Sequence, residues 1–165
     1  MSTQAAAKIR ANLKAAGYNR TRVGVRADNY SMGSSVYVTV KDPTADFAAI
    51  EEIANQERSI SRCEFSGEIL SGGNTYIHVD YSREAEDAMG APFVEPCRKA
   101  FEACSKDVHG DVEGTDCTVS TSGQGHVEVW FRGSYRGTGW TDGEDFTHLA
   151  KKVARVIKSA DEKEA

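Results

Sequence analysis

The chain has 165 residues, of which 39% are hydrophobic and 27% charged. A domain of that length buries roughly 70% of its unfolded surface, and such a composition excludes both a disordered chain and a scaffold that needs disulfides or metal to fold. The formal charge of -5 argues against a protein that coats nucleic acid by bulk electrostatics and leaves room only for a local basic patch.

In chain order, Ala6, Ile9, Leu13 and Ala16 fall at helical spacing over residues 4 to 16, with Gly17 as the stop. Val23, Val25 and Ala27, the loop NYSMGS, and Val36, Val38 and Val40 predict a first hairpin with one apolar face. Thr44 is placed to cap a second helix whose stripe is Phe47, Ile50, Ile53 and Ala54. Cys63 and Phe65, a Ser71-Gly72-Gly73-Asn74 loop, and Ile77, Val79 and Tyr81 predict a second hairpin. A third helix starts after Ser82, breaks at Gly90-Ala91-Pro92 and restarts with Pro96 in its first turn.

The third hairpin joins Cys117 and Val119 to Val127, Val129 and Phe131 through a tight Ser122-Gly123-Gln124-Gly125 turn. A glycine-rich connection, GSYRGTGWTDG, leads to a last helix with Thr141 and Glu144 at capping-box spacing and a stripe of Phe146, Leu149, Ala150, Val153, Val156 and Ile157. The expected architecture is α+β: three antiparallel hairpins alternating with four helices, α-ββ-α-ββ-α-ββ-α, with helices on one face of antiparallel sheet. Residues 1–165 read as one domain, with a subdivision into 1–83 and 84–160 as the alternative. The fragments HVDY at 78–81 and HVEV at 126–129 hint at duplication of a helix–hairpin unit.

Cys63, Cys97, Cys104 and Cys117 match neither a CxxC pair nor a common zinc spacing, so free thiols are expected, with Cys97 and Cys104 on the apolar side of their helix. No apolar run reaches the roughly 18 residues of a membrane span, and MSTQAAAKIRANLK reads as an amphipathic helix rather than a leader. A cytoplasmic protein without membrane contact is expected. His78, His109, His126 and His148 show no converging ligand set and no base beside a nucleophile, so no catalytic residue, metal or cofactor is expected.

Residues 7–44, AKIRANLKAAGYNRTRVGVRADNYSMGSSVYVTVKDPT, carry an IRxxLK-type helix, an xVxVR strand, a glycine-serine loop and a VxVxV strand running into DPT. This stretch, extended to about residue 83, resembles the large polyvalent-protein-associated domain of phage and plasmid proteins. Members more typically carry an aromatic strand end of W-T-D-G-P type; this chain has Val40-Lys41-Asp42-Pro43 there and carries W-T-D-G at Trp140 to Gly143. The resemblance implies a mobile-element protein acting in the cytoplasm of a bacterial host. In that context small acidic proteins blunt defences such as CRISPR effectors or restriction enzymes. It supplies no catalytic residue.

Two surfaces are candidates for recognition. If the hairpins share one orientation, the open sheet face gathers Arg22, Arg26, Tyr37, Thr39, Lys41, Tyr76, His78, Asp80, His126, Glu128, Trp130 and Arg132, a mixture suited either to a protein interface or to stacking and phosphate contact with single-stranded nucleic acid, with a covering layer of helix or ordinary cross-strand pairing as the alternative. The glycine-rich stretch adds Tyr135, Arg136 and Trp140 as a flexible partner-binding loop, and plain connection is its alternative. The start of the chain is basic, with Lys8, Arg10, Lys14, Arg20, Arg22, Arg26 and Lys41 against Asp28 alone, whereas Asp107, Asp111, Glu113 and Asp116 form an acidic cluster able to mimic phosphate or simply to be solvated. The expected function is inhibition of a host protein or ribonucleoprotein defence complex, with nucleic-acid binding as the alternative.

Overall fold

The computed structural model describes residues 2–31, 33–70, 73–105, 108–123 and 126–164. The chain divides into two compact units, Met1–Ala85 and Glu86–Ala165, and each has its own core. Together they are α+β, with one sheet of three strands and one of four.

The first unit runs α1 (Ser2–Ala15), β1 (Val23–Tyr30), β2 (Gly33–Val40), α2 (Phe47–Asn55), β3 (Thr75–Tyr81). Gly17 takes a left-handed φ of 87° just past α1, as a helix stop requires. Alternation puts Val36, Val38 and Val40 on the helix side of the sheet, where with Ile9, Leu13 and Ile50 they are almost completely buried. Each such side chain is worth roughly 1.5–3 kcal/mol of transfer free energy. The cap of α2 is Asp46, which accepts from the Ala49 amide at 2.9 Å, rather than Thr44. Thr44 instead donates both its amide and its hydroxyl to Asp42 Oδ1.

The expected second hairpin does not form. β3 pairs in parallel with β2, Tyr37 opposite His78 and Val38 opposite Val79, so β2-α2-β3 is a crossover and β2 is the central strand. The alternation at Cys63 and Phe65 is only three residues long before Ser66-Gly67, and Phe65 is 99% exposed. A fragment that buries nothing cannot compete with the long free edge of β2. The connection is pinned by Asn74, 2% exposed: its side chain donates to Leu70 O at 2.7 Å and accepts from the Ser61 amide at 2.8 Å, and its carbonyl accepts from the Ser34 amide. Ser71 and Gly72 of the expected turn lie outside the described residues.

Leading into the second unit are α3 (Arg83–Gly90), a 3-10 turn (Ala91–Phe93) and α4 (Val94–Ala103), the expected break. A Cβ on Gly90 would sit 3.1 Å from the Lys151 backbone nitrogen, so the glycine permits close helix packing as well as the interruption. Then follow β4 (Gly110–Asp111), β5 (Cys117–Gly123), β6 (His126–Phe131), β7 (Ser134–Trp140) and α5 (Thr147–Glu164), the strands forming an antiparallel sheet in that order. The β5–β6 hairpin is as expected, though Gln124 and Gly125 of its turn lie outside the described residues.

The glycine-rich connection is itself a strand, β7, paired with β6. Its core-side positions are Gly137 and Gly139, whose Cβ atoms would meet Lys152 Nζ at 2.8 Å and Leu149 Cδ1 at 3.1 Å; glycine lets α5 press against the strand and in doing so erases the apolar alternation. The helix starts at Thr147, with Asp145 accepting from its amide at 2.8 Å, so Thr141 and Glu144 form no capping box. HVDY lies in a parallel strand and HVEV in an antiparallel hairpin, so the two units are not copies of one motif. All four cysteines are free, with Cys97 and Cys117 buried in the second core. Among the described residues no helix is long and apolar enough to cross a membrane.

Candidate interaction surfaces

In the second unit the core takes Val127, Val129 and Phe131 of β6, so alternation turns His126, Glu128 and Trp130 to the open side of the sheet. Trp130 is fixed there on three sides. Tyr135, opposite it on β7, meets it edge-on with ring centroids 5.5 Å apart; His109 lies at 5.3 Å; and the indole donates to Ser120 Oγ at 3.2 Å, which in turn donates to Glu128 Oε2. Four residues along β6, about 13 Å at strand rise, His126 pairs with Trp140. Trp140 stacks on His148 at 4.1 Å with the rings 13° apart. Tyr135 and Trp140 are 53% and 50% exposed.

In the first unit the pairing registers place Arg26, Tyr37 and His78 in one row across β1, β2 and β3. Tyr37 and His78 stack at 5.1 Å, and the Arg26 guanidinium lies 5.3 Å from the Tyr37 ring centre. This is a flat, exposed, cationic and aromatic strip on the side of the sheet away from α1 and α2.

Three expected site residues lie elsewhere. Arg22 is tied to Asp42 at 2.6 Å and lies over Tyr18, and the Thr44 hydrogen bonds, then Arg22, hold the Asp42 carboxyl down at about 2. Arg132, the one described non-glycine residue with positive φ, at 48°, bridges Asp116 and Glu164, which raise its pKa. Both arginines are spent on structure. Arg136 sits at the register shift between β6 and β7 and lines a cleft with α5, not the face that carries Tyr135. The acidic cluster is likewise partly consumed: Glu113 pairs with Lys99 and Asp116 with Arg132, while Asp107 lies outside the described residues.

No protein-family model, curated protein or solved structure matches the chain.

The side chains themselves add what the pattern concealed. All four histidines lie against an aromatic ring: His78 and His148 stack flat on Tyr37 and Trp140, His109 is tilted against Trp130, and His126 meets Trp140 edge-on. Among the described residues no three His, Cys, Asp or Glu side chains gather to hold a metal. A cavity of about 480 Å³ between α1 and β1 is lined by Arg10, Leu13, Lys14, Tyr18, Arg20 and Val23. Arg10 donates to Val25 O at 2.8 Å, which occupies an outward carbonyl of edge strand β1 and blunts that edge against further pairing. The basic bias of the first residues was the only sequence signal for this cavity.

Proposed function

We propose that this is a non-enzymatic protein of a phage or plasmid that inhibits a host defence complex, such as a CRISPR effector or a restriction enzyme, by occupying a protein surface in the bacterial cytoplasm. The observation that carries the binding reading is the open face of β6 and β7. There Trp130 is held by His109, Ser120 and the edge of Tyr135, and at the end of β7 Trp140 stacks on His148 of α5, so less side-chain entropy remains for the two tryptophans to lose on association. Tryptophan and tyrosine are the residues that dominate protein interfaces, and the acidic chain suits a protein partner better than a polyanion. The mobile-element context is supported by the resemblance of residues 7–44.

The test is affinity capture from host cytoplasm with the tagged full chain, with and without nuclease, read by mass spectrometry. A defence complex retained after nuclease is expected, with Trp130→Ala and Trp140→Ala each weakening capture by about thirtyfold, as for a hot-spot aromatic. Undiminished capture by both variants would overturn the assignment of the face. Absence of protection in phage and plasmid challenge across several defence types would overturn the inhibitor reading.

A second reading, a nucleic-acid-binding module, is favoured by the Arg26–Tyr37–His78 row. It requires affinity for single strands that falls steeply with salt and drops with Arg26→Ala or Tyr37→Ala. Salt-independent binding, or none, eliminates it.

A further inference from the structure

On the helix side of the second sheet, opposite Trp130 and Tyr135, a cleft of about 230 Å³ opens between β7 and α5, lined by Arg136, Lys152, Arg155, Val156, Ser159 and Lys163. No carboxylate lines it. Four carboxylates of α3 and α5 are engaged, Asp87 with Lys151, Glu86 with Arg155, Glu162 with Lys158 and Glu164 with Arg132, and Asp161 lines a separate cleft beside Arg132. Among the described residues Arg136, Lys152 and Lys163 make no ion pair.

Two backbone features direct cations here. The register shift that pairs Val129 with Gly137 but Trp130 with Tyr135 leaves Arg136 as the extra residue of a bulge, and a bulge re-aims its side chain. Gly137, at φ 113°, has the Lys152 ammonium 2.8 Å from where a Cβ would stand, so any other residue at 137 would push the lysine away. Like charges assembled without counter-charge repel one another, and a bound anion removes that cost.

We propose that this cleft binds a phosphate group in its dianionic form, as inorganic phosphate or as a phosphomonoester, in preference to a phosphodiester. The cavity is smaller than the roughly 300–1,000 Å³ of organic-ligand pockets, so it takes a single charged group. Arg136 presents a planar donor fork, Lys152 and Lys163 supply point charges and Ser159 a hydroxyl, a donor set matched to three phosphate oxygens. Three cations without ion pairs match a dianion better than the single charge of a diester linkage.

The test titrates the isotope-labelled full chain by NMR with inorganic phosphate, with glycerol 3-phosphate and with dimethyl phosphate, at an ionic strength held constant with chloride. Saturable shifts at the amides of Arg136, Gly137 and Lys152 are expected with phosphate or the monoester, at a dissociation constant on the order of 1 mM. Tighter binding of glycerol 3-phosphate identifies a carried phosphate as the ligand, and its exclusion while phosphate binds identifies the free ion. Arg136→Gln and Lys152→Gln each weaken binding roughly tenfold, with folding read from the same spectra, and Lys158→Gln, outside the cleft, leaves it unchanged. Lack of saturation by about 20 mM, equal binding of dimethyl phosphate, or equal loss in Lys158→Gln would overturn the proposal.

Discussion

Replacing Gly110 with alanine would place a methyl carbon 1.9 Å from the carbonyl oxygen of Ala100 and 2.7 Å from its carbon. Contacts of this kind start near 3.0 Å, so one of the two backbones has to move by about an ångström, a strain typical of overpacked cores. Either α4 shifts, disturbing Cys97 and Ala100 at 0% and 2% exposure, or β4 lifts from β5 and gives up the Gly110–Val119 and Asp111–Thr118 pairing. Overpacking costs about 1–3 kcal/mol, and two backbone hydrogen bonds at about 0.5–1.5 kcal/mol each come to the same range. The expected loss is about 2 kcal/mol, which for a unit of this size lowers its melting temperature by about 8–16 °C.

Thermal unfolding followed by tryptophan fluorescence reads the loss directly, because His109, next to Gly110, lies 5.3 Å from Trp130. Fluorescence of Gly110→Ala at low temperature should already differ if β4 is the element that yields. Asp111→Ala, an exposed change on the same strand, should stay within about 0.5 kcal/mol of the unaltered protein. A Gly110→Ala protein that melts within about 2 °C of it, with unchanged fluorescence, would refute the close approach of β4 to α4.

Asn74→Ala leaves the Ser61 amide and the Leu70 carbonyl without their partner and should cost about 1–3 kcal/mol in denaturant unfolding of the first unit. The Asp42 carboxyl, held at about 2 when folded against about 3.9 when unfolded, stabilises the first unit above the unfolded value. That contribution should fade as pH falls from about 4 to about 2, and Asp42→Asn should flatten this part of the acid-stability curve. Burial pushes the Cys97 thiol up to about 12 and raises Cys117, while hydrogen bonds from Ser66 lower Cys63. At neutral pH a thiol reagent should therefore label Cys63 first and reach Cys97 and Cys117 only as the second unit unfolds, checked by peptide mass mapping.

What the pattern of residues revealed was whatever is decided locally. α1 with its Gly17 stop, the β1–β2 and β5–β6 hairpins, the break at Gly90-Ala91-Pro92 and the stripe of α5 all follow from period and punctuation within a few residues. β3 was legible as a strand but not its partner, because parallel pairing across α2 leaves no mark between Val40 and Thr75. β7 was hidden because its inward positions are glycine, and β4 because a two-residue strand carries no period. At the surface, Trp130 was legible on an open sheet face, whereas Tyr135 and Trp140 read as loop residues because β7 itself was hidden. The separation of Arg136 from Tyr135 was not legible, since it depends on a bulge, and neither was the consumption of Arg22 and Arg132 by carboxylates distant in sequence.

The parallel placement of β3 also sets a timetable for synthesis. Ser34 and its neighbour Thr75 are 41 residues apart, and ribosomes add about 5–20 residues per second. For seconds, therefore, a nascent chain carries a finished β1–β2 hairpin whose second edge, at Val36 and Val38, has no strand beside it. Arg10 guards one side of the hairpin throughout, through its bond to Val25; the other side is guarded only by the arrival of residues 75–81. Any delay between the emergence of residues 33–40 and that of residues 75–81 would prolong exposure of an apolar strand edge.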